Sequence, residues 1–350
     1  MDVRSGTGLR LVCPGLVPDG CPVLDRLPPT PSLDRILARA DRLDPAPNDG
    51  FRALAESFGL AVAPDADPPS APLCLLAEAP EQASRGVWFH ADPIHLRPDR
   101  DRLRLFGGPS LALRAEETEA LIAAFNAHFA ADGLELVATR PQRWYLRVAA
   151  LPDLRTTPLT RVQGRAIDPY LPAGPAARAW MRWQNEAQML FFQHPVNAAR
   201  DADGRPTVSG IWTWGGGALP AVGGGPDLTF ADHPLALGLA QAARCRTLAL
   251  DAALPPTGAD RVLIYWDRLW WPSLEGDWAR WLQALAALET QIAALAGAYR
   301  ALRLDDGDGR SWMLAGAARH RFWRRGGLRE RIARAQERKS GADARAPRSD

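Results

Sequence analysis

The chain has 350 residues, of which 47% are apolar and 23% charged, with a formal net charge of +2. That is the composition of a globular chain long enough to bury one large core or two ordinary ones. So small a charge excludes a strong general pull toward nucleic acid or membrane, and no apolar run reaches the ~20 residues of a membrane-spanning helix. The first residues lack a basic region followed by an apolar core, so a cytoplasmic protein is expected. Cys13, Cys21, Cys74 and Cys245 show no C-x-x-C spacing, which argues for buried thiols rather than a zinc site or a disulfide framework. Thirteen tryptophans crowd toward Trp180–Trp214 and Trp266–Trp281 and suggest a Trp-rich core.

In chain order, Leu9–Leu16 is an apolar run closed by Pro and Gly and predicts the first strand. Ser32 is a candidate N-cap for a helix that places Leu33, Ile36 and Leu37 on one face. Phe51–Phe58 predicts a short helix, and Ala61–Ala71 a loop by composition. Trp88–Leu96 and Leu103–Phe106 read as paired strands around a turn. Glu116–Phe129 is an amphipathic helix, and Leu134–Ala138 and Trp144–Val148 are two further strands. Ala176–Phe192 is apolar nearly all the way round and predicts a well-buried helix. Val208–Trp214 is a strand, Leu235–Arg244 a helix, and Thr247–Leu250 a strand. Arg261–Trp266 is the clearest central strand, because its β-branched and aromatic run suits coverage on both faces. Leu274–Tyr299 predicts one long helix with Leu282, Leu285, Leu288, Ile292 and Leu295 along one side, and Ser311–Leu314 a last strand. The pattern predicts an α/β core sheet flanked by helices, built from residues 1–87 and 151–325. A smaller α+β subdomain is inserted at 88–150, and a basic, flexible tail follows at 326–350.

Four segments resemble a known family: WFHADPIHLRPDRDRLRLF from Trp88, RWYL at Arg143–Leu146, NEAQMLFFQHPVN at Asn185–Asn197, and IWTWGGGALP at Ile211–Pro220. Together they are similar to the bacterial RpfE-type regulatory proteins, over about Leu27 to Arg325. A more distant likeness is to archaeal-type, cofactor-independent phosphoglycerate mutases of the alkaline phosphatase superfamily. It is carried by Thr30–Asp34, by Glu116-Glu117 through Asn126, and by His194–Asn197 with Arg200 and Gly204. The resemblance implies an alkaline phosphatase-like core, and in those mutases two divalent metals on Asp and His ligands with a serine that accepts the phosphoryl group. Two cations neutralise charge on the attacking and leaving oxygens. Here strand Arg261–Trp266 continues into Asp267-Arg268 where a ligand run is expected. Where an Asp-His pair is expected, the chain reads Asp305-Asp306-Gly307-Asp308. An Asp-Gly ligand appears only as Asp19-Gly20, and no nucleophile segment can be placed.

The residues therefore point to a regulatory or binding protein on a degenerate phosphoglycerate mutase-like scaffold, a pseudoenzyme with no cofactor. The alternative is an active phosphotransferase using Mn, Zn or Mg on Asp267, Asp305, Asp306 and Asp308. A candidate pocket for a phosphorylated or carboxylate small molecule is formed by His194, Asn197, Arg200 and Arg205 with Gly215, Gly216 and Gly217. His194 equally suits a helix C-cap. Asn185, Glu186 and Gln188, on an apolar helix, suggest a buried polar network or ligand contacts. Asp92 and His95 could pair as acid and base, but residues three apart in a strand face opposite ways. Arg143 is a further candidate. From Arg324 onward nine basic residues face four acidic ones, so the tail is a candidate contact for an acidic or nucleic-acid partner.

Overall fold

The computed structural model describes residues 8–43, 49–63, 66–252, 259–295 and 299–343. The tail end at 344–350, the helix end expected at 296–298, residues 64–65 of the expected loop and the first seven residues lie outside them. The strands, in chain order, are β1 (Gly8–Val12), β2 (Asp41–Arg42), β3 (Val87–Asp99), β4 (Arg102–Gly107), β5 (Glu135–Arg140) and β6 (Arg143–Val148). There follow β7 (Gly210–Gly217), β8 (Leu228–Phe230), β9 (Arg246–Leu248), β10 (Arg261–Tyr265), β11 (Ala301–Asp305) and β12 (Ser311–Ala315). They fall into two compact units, one of Met1–Ser57, Gly225–His233 and Cys245–Asp350, the other of Phe58–Gly224 and Pro234–Arg244.

The first unit is a mixed sheet flanked by helices, in the order β2-β12-β11-β1-β10-β8-β9. Strands β1, β8, β9, β10 and β11 run parallel, while β12 and β2 close one edge antiparallel. The central position of β10 agrees with its sequence, since Val262, Leu263, Ile264 and Tyr265 are all buried. Helix Pro31–Arg39 sends Leu33, Ile36 and Leu37 into the same core as Trp281, Leu285, Leu288 and Ile292 of helix Trp278–Leu295.

Ser32 is not the cap of helix Pro31–Arg39. Thr30 holds the cap position, and the buried Glu289 carboxylate accepts from the backbone N–H groups of Ser32 (2.6 Å) and Leu33 (3.0 Å). An acid held there opposes the positive end of the helix dipole. The long helix expected from Leu274 is two helices. Trp270–Glu275 ends at Gly276, whose φ of +73° turns the chain before Trp278–Leu295 begins.

The tail also departs from expectation. Residues Leu328–Asp343 form a helix, and Leu328, Ile332 and Ala335 are part of the core. Burying Leu328 and Ile332 is worth about 1.5–3 kcal/mol each, enough to hold the segment down. Asp34 accepts from the Leu328 N–H (2.8 Å), and Gln336 donates to the Cys21 carbonyl (2.8 Å).

The second unit carries an antiparallel sheet, β4-β3-β6-β5, with β7 also paired to β3. It is larger than the expected insertion at 88–150, because β7 adds to β3 and helix Ala177–Phe192 covers the sheet's apolar face. Alternation along β3 sorts the residues. Phe89 and Ala91 join Trp144, Leu146, Phe125, Trp180 and Phe191 in one core. His90 and Asp92 lie on the other face, the face crossed by helix Ser70–Glu78. Helix Ala177–Phe192 is not buried all round: Ala177, Trp180, Ala187 and Phe191 are buried, whereas Met189 is 63% and Phe192 82% exposed. Tryptophan does build much of both cores, and several of its N–H groups find acceptors, as in Trp281 to the Gly15 carbonyl and Trp180 to Thr213.

Candidate functional site

In an open parallel sheet, ligands sit beyond the carboxyl ends of the strands. In the first unit that edge gathers Cys13 after β1, Asp232 and His233 after β8, Asp251 after β9, Asp267 and Arg268 after β10, and Asp305 to Arg310 around the end of β11. Three of the four metal candidates, Asp267, Asp305 and Asp306, do come to this edge, and Asp308 follows in the loop beyond. So does the pair Asp232-His233, which the sequence reading missed. A short strand followed one residue later by Asp-His-Pro was the available signal.

Arginines occupy these carboxylates. Arg268 donates from Nη1 to Asp251 (2.7 Å) and from Nη2 to Asp232 (2.6 Å) and Asp251 (2.8 Å). Those bonds, that to Asp251 first, raise the Arg268 pKa above its ordinary value, and its guanidinium also lies 5.2 Å from the Trp266 ring. Asp306 is fully buried; it accepts from Arg310 Nε and from the N–H groups of Asp308 (2.9 Å) and Arg310 (3.1 Å). Burial pushes its pKa up, and Arg310 and those two N–H groups pull it back. Asp305 accepts from Arg10 (2.8 Å), Arg303 (3.0 Å) and the Ser311 hydroxyl. Asp308, more than half exposed, lies 3.4 Å from Arg310. His233 packs on the Phe51 and Tyr265 rings, at 5.9 and 5.5 Å. Burial raises the Cys13 thiol well above its usual range, with Asp306 and Asp267 adding to the shift.

A two-metal centre requires carboxylate lone pairs that converge on a common point. Here guanidinium N–H groups take up those of Asp232, Asp251, Asp305 and Asp306. Among the described residues no group of three or more His, Cys, Asp and Glu side chains is placed to hold a metal ion. The residues present do not fit the two cations that the mutase resemblance implies.

The expected anion pocket is not assembled either. Arg200 is fully buried, and its donors go to the Pro206 carbonyl (2.7 Å), Glu117 (2.7 Å) and the Leu111 carbonyl (2.5 Å). Arg205 donates to the same Glu117 (2.6 Å) and to the Ala112 carbonyl (2.7 Å). Asn197 donates to the carbonyls of Phe191 and Val208 and accepts from the Val208 N–H, each at 2.8 Å. Together they tie the loop after helix Pro195–Ala202 to the start of helix Ala115–His128. Gly215 (φ +61°) and Gly216 are explained by close approach, since side chains there would strike Ser70 and Phe89. Gly217 packs on Pro69. His194 caps a helix, but at the N-terminus of Pro195–Ala202 rather than the C-terminus of the preceding helix. Its Nδ1 accepts from Val196 N–H (3.2 Å), and burial lowers its pKa. Asn185 and Glu186 are exposed, Glu186 pairing with His128 (2.7 Å), and Gln188 lies against Gly210, so no buried network forms.

A polar row does occupy the second face of the antiparallel sheet. Asp92 accepts from Trp214 Nε1 (2.5 Å), and His90 stacks on Trp214 with ring centroids 4.1 Å apart. Tyr145 lies 5.3 Å from His90 and donates to Glu78 (2.8 Å), which also accepts from Thr139 (2.6 Å) and Arg143. Burial pushes the Asp92 carboxyl up to about 7, against the pull of Trp214 and Arg143. His95 has separate partners, the Thr207 carbonyl (2.9 Å) and hydroxyl, so it forms no acid–base pair with Asp92.

No family model matches the chain. It is 25% identical over 150 residues to a 2,3-bisphosphoglycerate-independent phosphoglycerate mutase of Methanosarcina barkeri. That match covers 40% of this chain and 36% of the relative, so the likeness spans little more than a third of that mutase. The fold is similar to that of the PH0037 protein from Pyrococcus horikoshii, with a TM-score of 0.53, 15% identity, and coverage of 95% and 93% of the two chains. A cofactor-independent phosphoglycerate mutase from Thermoplasma acidophilum aligns at a TM-score of 0.40 and 14% identity over 93% of this chain and 95% of that one. No helix among the described residues is long and apolar enough to cross a membrane. The chain thus has a mixed α/β fold, a central sheet flanked by helices, and over 40% of its length it is distantly similar in sequence to phosphoglycerate mutase.

Proposed function

We propose that the chain is a cytoplasmic regulatory or binding protein of the RpfE type, on a phosphoglycerate mutase-like scaffold without a two-metal phosphotransfer centre. One observation carries the proposal: the carboxylates at the carboxyl edge, from buried Asp305 and Asp306 to half-exposed Asp232 and largely exposed Asp251, are paired with Arg268, Arg310, Arg10 and Arg303. A guanidinium is a permanent cation, so it balances the charge with no exchangeable site for Mn, Zn or Mg. The test is thermal unfolding of the purified chain with each metal, beside an assay for interconversion of 2- and 3-phosphoglycerate. No metal-dependent rise in Tm and no turnover are expected.

The second reading, a metal-dependent phosphotransferase, is favoured by the common edge shared by Asp267, Asp305 and Asp306, with Asp308 in the loop beyond. It expects a metal-dependent rise in Tm that Asp267→Ala removes. Metal stabilisation with turnover would overturn the first reading.

A further inference from the structure

Most large apolar side chains are buried, yet Phe322 is 78% and Trp323 65% exposed, with their rings edge to face at 5.2 Å. They sit inside Arg319-His320-Arg321-Phe322-Trp323-Arg324-Arg325. From Arg319 to Arg338 there are eight arginines and two glutamates, a density the whole-chain charge of +2 conceals.

These arginines outnumber the carboxylates that serve them. Arg321 and Arg324 both reach the single carboxylate of Asp41, and Arg324 does so at 3.6 Å. Arg334 meets Glu330 only at 4.0 Å, and Arg338 donates to the Arg334 carbonyl. Arg331 has its pKa lowered by burial and then by the neighbouring charges of Arg334, Arg42 and Arg338. Asp41 pairs with Arg321 and Arg324, and its neighbour Arg42 acts electrostatically on Arg331, so β2 lies beside both the aromatic pair's segment and helix Leu328–Asp343. From Leu328 to Arg338 that helix covers about 15 Å at 1.5 Å per residue.

We propose that this surface binds single-stranded nucleic acid, its phosphates following the arginines along the helix while an unstacked base lies on Trp323 or Phe322. Exposed aromatics beside a basic track are the means by which proteins hold single strands without reading their sequence. A duplex offers no free base face to the two rings. A membrane surface is the less suitable partner, because a membrane-lying helix turns its apolar face outward. Here Leu328, Ile332 and Ala335 face the protein core, Arg331 donates to the Leu37 carbonyl (2.9 Å), and the more than half exposed Arg329 and Arg334 occupy the outer side.

The test is fluorescence anisotropy of a labelled 12-nucleotide oligothymidylate with the full chain, at several salt concentrations. Binding is expected to weaken with salt, by a slope of about 0.7 per phosphate engaged. Trp323→Ala is expected to weaken it between about 5- and 150-fold, as loss of one stacked base does. Arg334→Gln and Arg338→Gln should each lower the slope by less than one while leaving weaker binding. Trp323 is exposed, so its variant should keep the wild-type circular dichroism melt, which separates loss of contact from loss of fold. Equal affinity for an abasic oligomer, an unaffected Trp323→Ala variant, or binding to phosphatidylserine vesicles but not to the oligomer would each overturn the proposal.

Discussion

Each unit holds an aspartate away from water, and the two solve the same electrostatic problem differently. At the carboxyl edge of the parallel sheet, Asp306 is fully buried beside Arg310 and two backbone N–H groups. On the polar face of the antiparallel sheet, Asp92 has a hydrogen bond from Trp214, and its carboxyl holds a proton up to about pH 7. Removing an ion from water is expensive unless it is paired, and a group without a full partner neutralises itself instead. One unit sets a cation beside its carboxyl against the upward push of burial; the other sets an indole N–H there and keeps the proton.

The sharpest way to break that contrast is Arg310→Ala. If Asp306 is ionised, losing its cation strands a buried charge, and unfolding in urea should show a loss of about 3–5 kcal/mol. A loss below about 1 kcal/mol would place Asp306 in the same protonated class as Asp92. Next in size is the pH dependence of Asp92. Its folded pKa, about 7, lies above the ordinary 3.8, so between those values the unfolded chain has released a proton that the folded chain keeps. That contribution is complete below pH 4 and is lost as pH rises toward 7, with a slope approaching about 1.4 kcal/mol per pH unit. Asp92→Asn keeps an acceptor for Trp214 and should remove the slope, so urea unfolding at pH 4.5, 6 and 8 should show the variant gaining on wild type with rising pH.

Two smaller effects sharpen the picture. His194→Ala removes the acceptor for Val196 N–H and should cost about 1 kcal/mol. Because its folded pKa is lowered, His194 stabilises the chain above its ordinary value, and the cost should vanish as acid protonates the ring. Arg268→Ala removes an ion pair shared with half-exposed Asp232 and largely exposed Asp251, so a change under about 1 kcal/mol is expected in the same assay.

What the sequence revealed was what local pattern encodes. The β-branched run of β10 marked it as a central strand, and the runs Trp88–Leu96 and Leu103–Phe106 around their turn marked β3 and β4 as a pair. Where short-range pattern competed with a distant partner, the reading failed. Ser32 resembled a cap, but Glu289 holds those N–H groups from 257 residues away. Arg200 and Arg205 resembled anion donors, but their anion is Glu117, 83 and 88 residues distant. The tail looked solvated because its charges dominate its composition, although Leu328, Ile332 and Ala335 form a narrow apolar stripe. The arginines at the carboxyl edge were visible as residues; their pairing with Asp232 and Asp251 depends on topology that no local spacing discloses.

The position of β1 bears on how the chain matures. Its neighbours in the sheet are β10 and β11, paired from Gly8 to Arg261 and from Gly8 to Ala301. At roughly 5–20 residues per second on a ribosome, the first strand waits on the order of 10–50 s for its flanking strands to be made. The antiparallel unit, drawn largely from one continuous stretch, can condense in that interval. Nascent-chain arrest before residue 261 should therefore leave Leu9 and Leu11 open to chaperones and proteases, while Trp144 is already shielded.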